Sequence, residues 1–223
     1  MISREKKFIF IHNFKTGGTS IEKKLGHFIS LEKDVQDHRT LREIEALTNR
    51  RNHLRTSLYA LKVGKLGRTG AYLKKALSPE LTKQEFDSFY KFTFVRNTWS
   101  RMYSWYANVM RDEHMKAQYK IEDPNYSYLQ FLTEKIDHTT FSQLYFIQNN
   151  KGIVAMDFIG RFERLQEDFN FVAERLGIAD PELPKLLVRN YGHYTENYTE
   201  ETKDLIYKLY REEIDYFMYE YGE

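Results

Sequence analysis

Apolar positions along this chain fall into short runs and longer periodic stretches, and the two kinds predict different elements. Phe8–Ile11 is an unbroken apolar run between Lys6-Lys7 and His12-Asn13, the length of one buried strand, and predicts a strand over residues 6–12. Phe92-Thr93-Phe94-Val95 predicts a second over 92–95, and a third is expected over 155–162. Between and beyond them, apolar residues recur at helical spacing. Helices are predicted over 19–28, 41–47, 99–114, 126–135, 140–149, 166–176 and 199–219. The last has Leu205, Ile206, Leu209 and Ile214 as its apolar stripe, and Asp123-Pro124-Asn125 reads as a turn. Strands alternating with helices predict an α/β fold, a central parallel sheet flanked on both faces by helices. No internal repeat or low-complexity segment interrupts the pattern.

Two strand ends carry the chemistry. The first strand runs into Lys15-Thr16-Gly17-Gly18-Thr19-Ser20 and then a helix. Two adjacent glycines let backbone N–H groups approach an oxyanion, and a helix N-terminus adds roughly half a positive charge. Lys15 supplies a full charge, and Thr16, Thr19 and Ser20 supply hydroxyl donors, so a phosphate-like or sulfate-like group is the expected occupant. The order of residues differs from the nucleotide-hydrolase loop G-x-x-x-x-G-K-[ST], because Lys15 precedes both glycines and position 13 is Asn. G-x-G-x-x-G is absent as well. The plainer alternative is a strand-to-helix turn whose glycines only relieve strain.

The second strand ends on Arg96-Asn97, with Thr98, Arg101 and Ser104 following. Asn97 or Thr98 suits a helix cap. Arg96 can fork onto a phosphate, and Arg101 and Ser104, one turn apart, fall on roughly one face, where Ser104 could reach the same anion. Alternatively Arg101 is a surface charge and Ser104 a small packing residue. The tryptophans and tyrosines of this helix, Trp99, Tyr103, Trp105 and Tyr106, are expected to pack in the core or to stack on a base or sugar.

Together the two segments resemble the sulfotransferases that use 3′-phosphoadenosine 5′-phosphosulfate (PAPS), most closely the carbohydrate-type, family 2-like branch. That family has a Lys-Thr-Gly-Gly-Thr-Ser-like loop and an Arg-Asn-Pro-x-x-Arg-x-x-Ser element; here Thr98 stands where the family has Pro. Asp157-Phe158-Ile159-Gly160-Arg161-Phe162-Glu163-Arg164-Leu165 looks like the family's third strand segment, so the likeness runs nearly end to end. The resemblance implies a P-loop-nucleotide-kinase-like sulfotransferase fold as one domain over residues 1–223. It implies PAPS as co-substrate and 3′-phosphoadenosine 5′-phosphate (PAP) as product, with Lys15, Thr16, Gly17, Gly18, Thr19 and Ser20 on the phosphosulfate. Arg96 and Ser104 would take the 3′-phosphate. Lys15 would also relieve charge on the departing phosphate, and no metal is expected. His38, in Asp37-His38-Arg39-Thr40, is the expected general base, oriented by Asp37 or by a backbone carbonyl; His12 and Glu43 are the alternatives. Arg161 either touches the donor or pairs with Glu163 or Asp157. The acceptor would be a hydroxyl on a carbohydrate or glycolipid. The rival readings are an ATP- and Mg-dependent phosphotransferase and a nucleotide-binding protein without turnover.

Composition narrows the setting. The chain has 223 residues, 41% of them hydrophobic, enough for one domain burying roughly 70–75% of its unfolded surface. Zero cysteines exclude disulfides and thiolate metal sites and fit a reducing compartment. No apolar run approaches the ~20 residues of a membrane span, and the first residues lead straight into a strand, so a cytoplasmic enzyme without a signal peptide is expected. The net charge is only +2, but its distribution is uneven: from residue 46 to 79 there is no Asp or Glu, against Arg50, Arg51, Arg55, Lys62, Lys65, Arg68, Lys74 and Lys75. Leucines interleave with them, predicting a basic helical insertion over about 48–80, broken at Gly64, Gly67 and Gly70. Such a segment is a docking face for an anionic acceptor, a peripheral membrane contact, or a solvated helix pair; no recognised nucleic-acid module accompanies it.

Overall fold

The computed structural model describes residues 1–28, 35–186 and 192–223. Its sheet has four strands, β1 (Ile2–Ser3), β2 (Phe8–Ile11), β3 (Tyr90–Val95) and β4 (Phe158–Arg161), lying side by side in that order. β2, β3 and β4 run parallel, in register at Phe10↔Phe92 and Phe94↔Gly160. The sheet is not wholly parallel: β1 adds a two-residue antiparallel edge, too short to register as an apolar run. β4 is also shorter than the predicted 155–162, since the ladder takes up only Phe158–Arg161.

The twelve α-helices found among the described residues are α1 (Gly18–Lys24), α2 (Leu41–Ala46), α3 (Arg50–Lys62), α4 (Leu66–Leu77), α5 (Lys83–Ser88) and α6 (Thr98–Arg111), then α7 (Glu113–Gln118), α8 (Tyr128–Glu134), α9 (His138–Phe141), α10 (Gln143–Ile147), α11 (Leu165–Arg175) and α12 (Glu200–Phe217). Local chemistry sets many of their starts. Thr40 with Glu43, Thr82 with Glu85 and Ser127 with Gln130 form reciprocal capping boxes at α2, α5 and α8. Two predicted helices are each divided. The 99–114 prediction breaks at Asp112, which leaves helical geometry and caps α7 through the Met115 N–H. The 140–149 prediction breaks at the extended Ser142, whose hydroxyl donates to Glu213. The predicted 19–28 helix ends at Lys24, with Gly26 in left-handed geometry at φ +76°.

Helices pack on both faces of the sheet, burying all of β2 and β3 from Lys91 on, while β1 and β4 stay partly exposed. Phe8, Phe10, Phe92 and Phe94 pack with Ile21 of α1 and Phe169 and Val172 of α11. Ile9, Ile11 and Val95 pack on the other face with Leu41, Ile44, Trp99, Met102 and Ile206. Gly160 is where β4 approaches closely, because a Cβ there would stand 2.5 Å from the Phe94 ring. The basic interval forms a hairpin of α3 and α4; of its glycines only Gly64, at φ +72°, breaks the helix, while Gly67 and Gly70 lie inside α4.

Candidate active site

Because β2 and β3 are adjacent and parallel, the loops leaving their C-terminal ends emerge side by side. Residues 12–17 connect β2 to α1, and internal bonds hold this loop. Buried Asn13 donates to the Thr93 hydroxyl at 3.1 Å and to the Phe94 carbonyl at 3.2 Å. Thr16 donates to the Asn13 carbonyl at 2.9 Å. Lys15 and Gly17 are both left-handed, at φ +63° and +79°. A Cβ on Gly17 would meet Leu165 at 2.6 Å, and one on Gly18 would lie 2.0 Å from the His12 ring. Both glycines are therefore needed by the packing around the loop.

The loop and the end of β3 face one cavity of about 610 Å³. Lys15, Gly17, Gly18, Thr19 and Ser20 line it from one side, Arg96 and Ser104 from another, and His38 from the segment before α2. Thr16 is the predicted site residue outside its lining; it is fully buried, with its hydroxyl committed to the loop. Arg96 reaches across, donating to the Lys15 carbonyl at 3.3 Å and to the Ser100 hydroxyl at 2.8 Å, while its guanidinium lies 4.2 Å from the Phe162 ring centre. Its backbone is clamped: Arg96 N–H donates to Gln143 Oε1 and Gln143 Nε2 donates to the Arg96 carbonyl, at 2.8 and 2.9 Å.

Behind Gln143 stands Glu213, almost fully buried, accepting from Gln143, Thr98 and Ser142. Arg101 turns to this carboxylate, 3.5 Å away, and donates to the Phe141 carbonyl. It is therefore not a surface charge; Ser104, one turn on, is buried as well and lines the cavity. Asn97 caps α6, accepting from Ser100 N–H. Arg161 pairs with neither Glu163 nor Asp157; it donates to the Phe217 carbonyl and lies over the Tyr219 ring, while Glu163 accepts from Asn97 N–H and from Tyr219. Of the aromatic residues on α6, Trp105 lines the cavity; Trp99 is buried and Tyr103 and Tyr106 pack with Tyr128.

His38 sits between the His12 and Phe14 rings, each 4.2 Å from it between centroids. Its Nδ1 is 3.1 Å from the His12 carbonyl, so the backbone carbonyl orients it, and Asp37 instead binds Arg39. Burial, reinforced by nearby His12, lowers its pKa from 6.5 to about 4, so the ring is neutral at pH 7. With Nδ1–H donating to the carbonyl, Nε2 holds the lone pair. It stands 3.0 Å from Gln36 Oε1, while Gln36 Nε2 donates to Thr19 Oγ1 at 2.9 Å, which sets two acceptors against each other at Nε2. An amide turned with NH₂ toward Nε2 and oxygen toward the Thr19 hydroxyl satisfies all three groups. Beneath them, burial raises the Glu22 carboxyl's pKa, but contact with His12 and the Asp37 N–H outweigh it and hold the carboxyl below its ordinary value. Gln36, Phe14, Gln143 and Glu213 were not legible as site residues. Gln143 and Glu213 act on Arg96 from 47 and 117 positions away in the chain, and no local spacing marks them. Among the described residues no three His, Asp or Glu side chains gather as a metal site.

The model of the Sulfotransferase family matches residues 1–220, and the chain belongs to that family. It is accordingly a sulfotransferase, working between a nucleotide sulfate donor and an acceptor. No curated protein and no solved structure matches the chain.

Proposed function

We propose that this enzyme moves a sulfuryl group from PAPS to a hydroxyl of a carbohydrate or glycolipid, with His38 as general base. The observation that supports this most is the meeting of Lys15 and Arg96 on one cavity that His38 also lines. Two cations from separate strand ends suit a ligand with anionic groups at both ends, and about 610 Å³ lies within the usual range for small-molecule sites. Bound there, PAPS would supply an activated sulfur whose bond to phosphate oxygen breaks as the acceptor oxygen bonds to it.

The chain's own residues would do the rest. Lys15 and the Gly17–Gly18 backbone would hold the phosphosulfate, and Lys15 would stabilise the charge developing on the departing phosphate oxygen. Thr19 and Ser20 offer hydroxyls at the same wall, while Arg96 and Ser104 would bind the 3′-phosphate. The apolar wall of Phe162, Leu165 and Leu183 suits a flat base. His38 Nε2 would take the acceptor proton; Gln36 keeps that lone pair pointed until the hydroxyl replaces it. Bound anionic donor would raise the His38 pKa from its depressed value, strengthening the base when it is needed.

The test is a thermal-shift comparison of PAP, AMP and ATP, followed by transfer assays on variants. PAP alone should stabilise the protein, and His38→Ala should retain PAP binding while transfer falls by about 10²-fold or more. Lys15→Ala should lower turnover more than it lowers PAP affinity. Equal stabilisation by ATP with activity lost in EDTA would replace the reading with phosphoryl transfer. Tight PAP binding with transfer indifferent to His38 would remove the base assignment.

A further inference from the structure

Most of the large apolar residues exposed among the described residues lie on one structure, the α3–α4 hairpin, which none of the cavity's lining involves. At 100° per residue, Leu54, Leu58 and Leu61 of α3 fall within an arc of about 60°, and Leu66, Leu73 and Leu77 of α4 within about 40°. All six are between 42 and 71% exposed. Arg50 donates to the Ala76 carbonyl and Ser57 to the Thr69 carbonyl, so the helices run antiparallel and meet through the small faces of Ser57, Ala60 and Ala76. On each helix the leucine stripe lies about a quarter turn from that contact face, in the same rotational sense. Antiparallel pairing therefore brings both stripes to one side of the hairpin, as a single apolar face. Arg51, Arg55 and Lys62 form the next stripe round α3, and Lys74 borders the leucines on α4.

We propose that this face docks the enzyme onto an anionic lipid bilayer, with the leucines in the headgroup boundary and the flanking cations on lipid phosphates. The charge pattern chooses the occupant. Eight Lys and Arg with no Asp or Glu across residues 46–79 would set like charge against like charge if a second copy packed there symmetrically. A soluble polyanion would satisfy the cations and leave six leucines in water. An anionic bilayer satisfies both, as amphipathic basic helices do at membrane surfaces.

The experiment is co-sedimentation of the full chain with vesicles of phosphatidylcholine alone and of phosphatidylcholine mixed with phosphatidylserine. Binding to the mixed vesicles should exceed binding to the neutral ones by about tenfold or more and weaken with salt. Leu58→Ser/Leu66→Ser/Leu77→Ser and, separately, Arg51→Glu/Arg55→Glu/Lys62→Glu should each reduce it by about tenfold, with far-ultraviolet circular dichroism and PAP binding unchanged. No sedimentation with mixed vesicles overturns the proposal. So does vesicle binding indifferent to the leucine substitutions but competed by heparin, which marks a polyanion site. Leucine-dependent dimerisation in analytical ultracentrifugation, with no vesicle binding, assigns the face to a second copy.

Discussion

The carboxylate of Glu213 never touches the cavity, yet the position of Arg96 rests on it. Its oxygens accept from Thr98 Oγ1 at 2.8 Å, Gln143 Nε2 at 3.0 Å, Ser142 Oγ at 2.9 Å and Gln143 N–H at 2.7 Å. It is also the carboxylate beside Arg101, and both side chains are only 1% exposed. Glu213→Ala would leave the guanidinium buried with the Phe141 carbonyl and ring, and would remove the acceptor of four further hydrogen bonds. Breaking a buried ion pair from one side costs about 3–5 kcal/mol, and the lost hydrogen bonds overlap with that figure, so we expect about 4 kcal/mol. For a chain of this size that lowers Tm by about 8–16 °C. Scanning calorimetry reads the shift, and PAP titration should show weaker binding because Gln143 no longer clamps the Arg96 backbone. Arg101→Met in a Glu213→Leu background should recover much of the loss, since both buried charges are then gone. A Tm within about 3 °C of wild type for Glu213→Ala, or no recovery in the double variant, would show that the pair is not a supporting element.

Acidification offers a second check. The folded His38 titrates at about 4 against 6.5 unfolded, so between these values the unfolded chain binds more protons and stability rises with pH. Falling pH should therefore remove up to about 3 kcal/mol across that window from wild type beyond what His38→Gln loses, measured by urea unfolding; a constant difference between the two proteins would refute it. Gly18→Ala should destabilise by about 1–3 kcal/mol through its 2.0 Å overlap with buried His12. Adding His12→Ala should restore part of that stability, and an unchanged Tm in the double variant would mean that the ring is not what excludes a side chain.

What the chain declares along its own length is local. The apolar runs at Phe8–Ile11 and Phe92-Thr93-Phe94-Val95 mark strands because a strand buried on both faces must be apolar on both. Arg96 stands directly after β3, and Lys15 with the paired glycines lies in the loop leaving β2, so the expectation of an anion site there needed only local spacing. Capping boxes such as Thr40 with Glu43 set helix starts within four residues. Pairings distant in sequence were decided only by tertiary structure. Arg101 could be read as a surface charge until packing turned it to buried Glu213, 112 positions on. Thr16 looked like a ligand donor until the loop folded its hydroxyl inward. His38 needed the fold to bring it against the His12 carbonyl, and its lowered pKa follows from the rings that surround it there. Sequence thus determined which residue types stand at the strand ends, because periodicity and turn chemistry act over a few residues. The fold decided which of them face the cavity, because desolvation and hydrogen bonding depend on partners that only chain closure brings near.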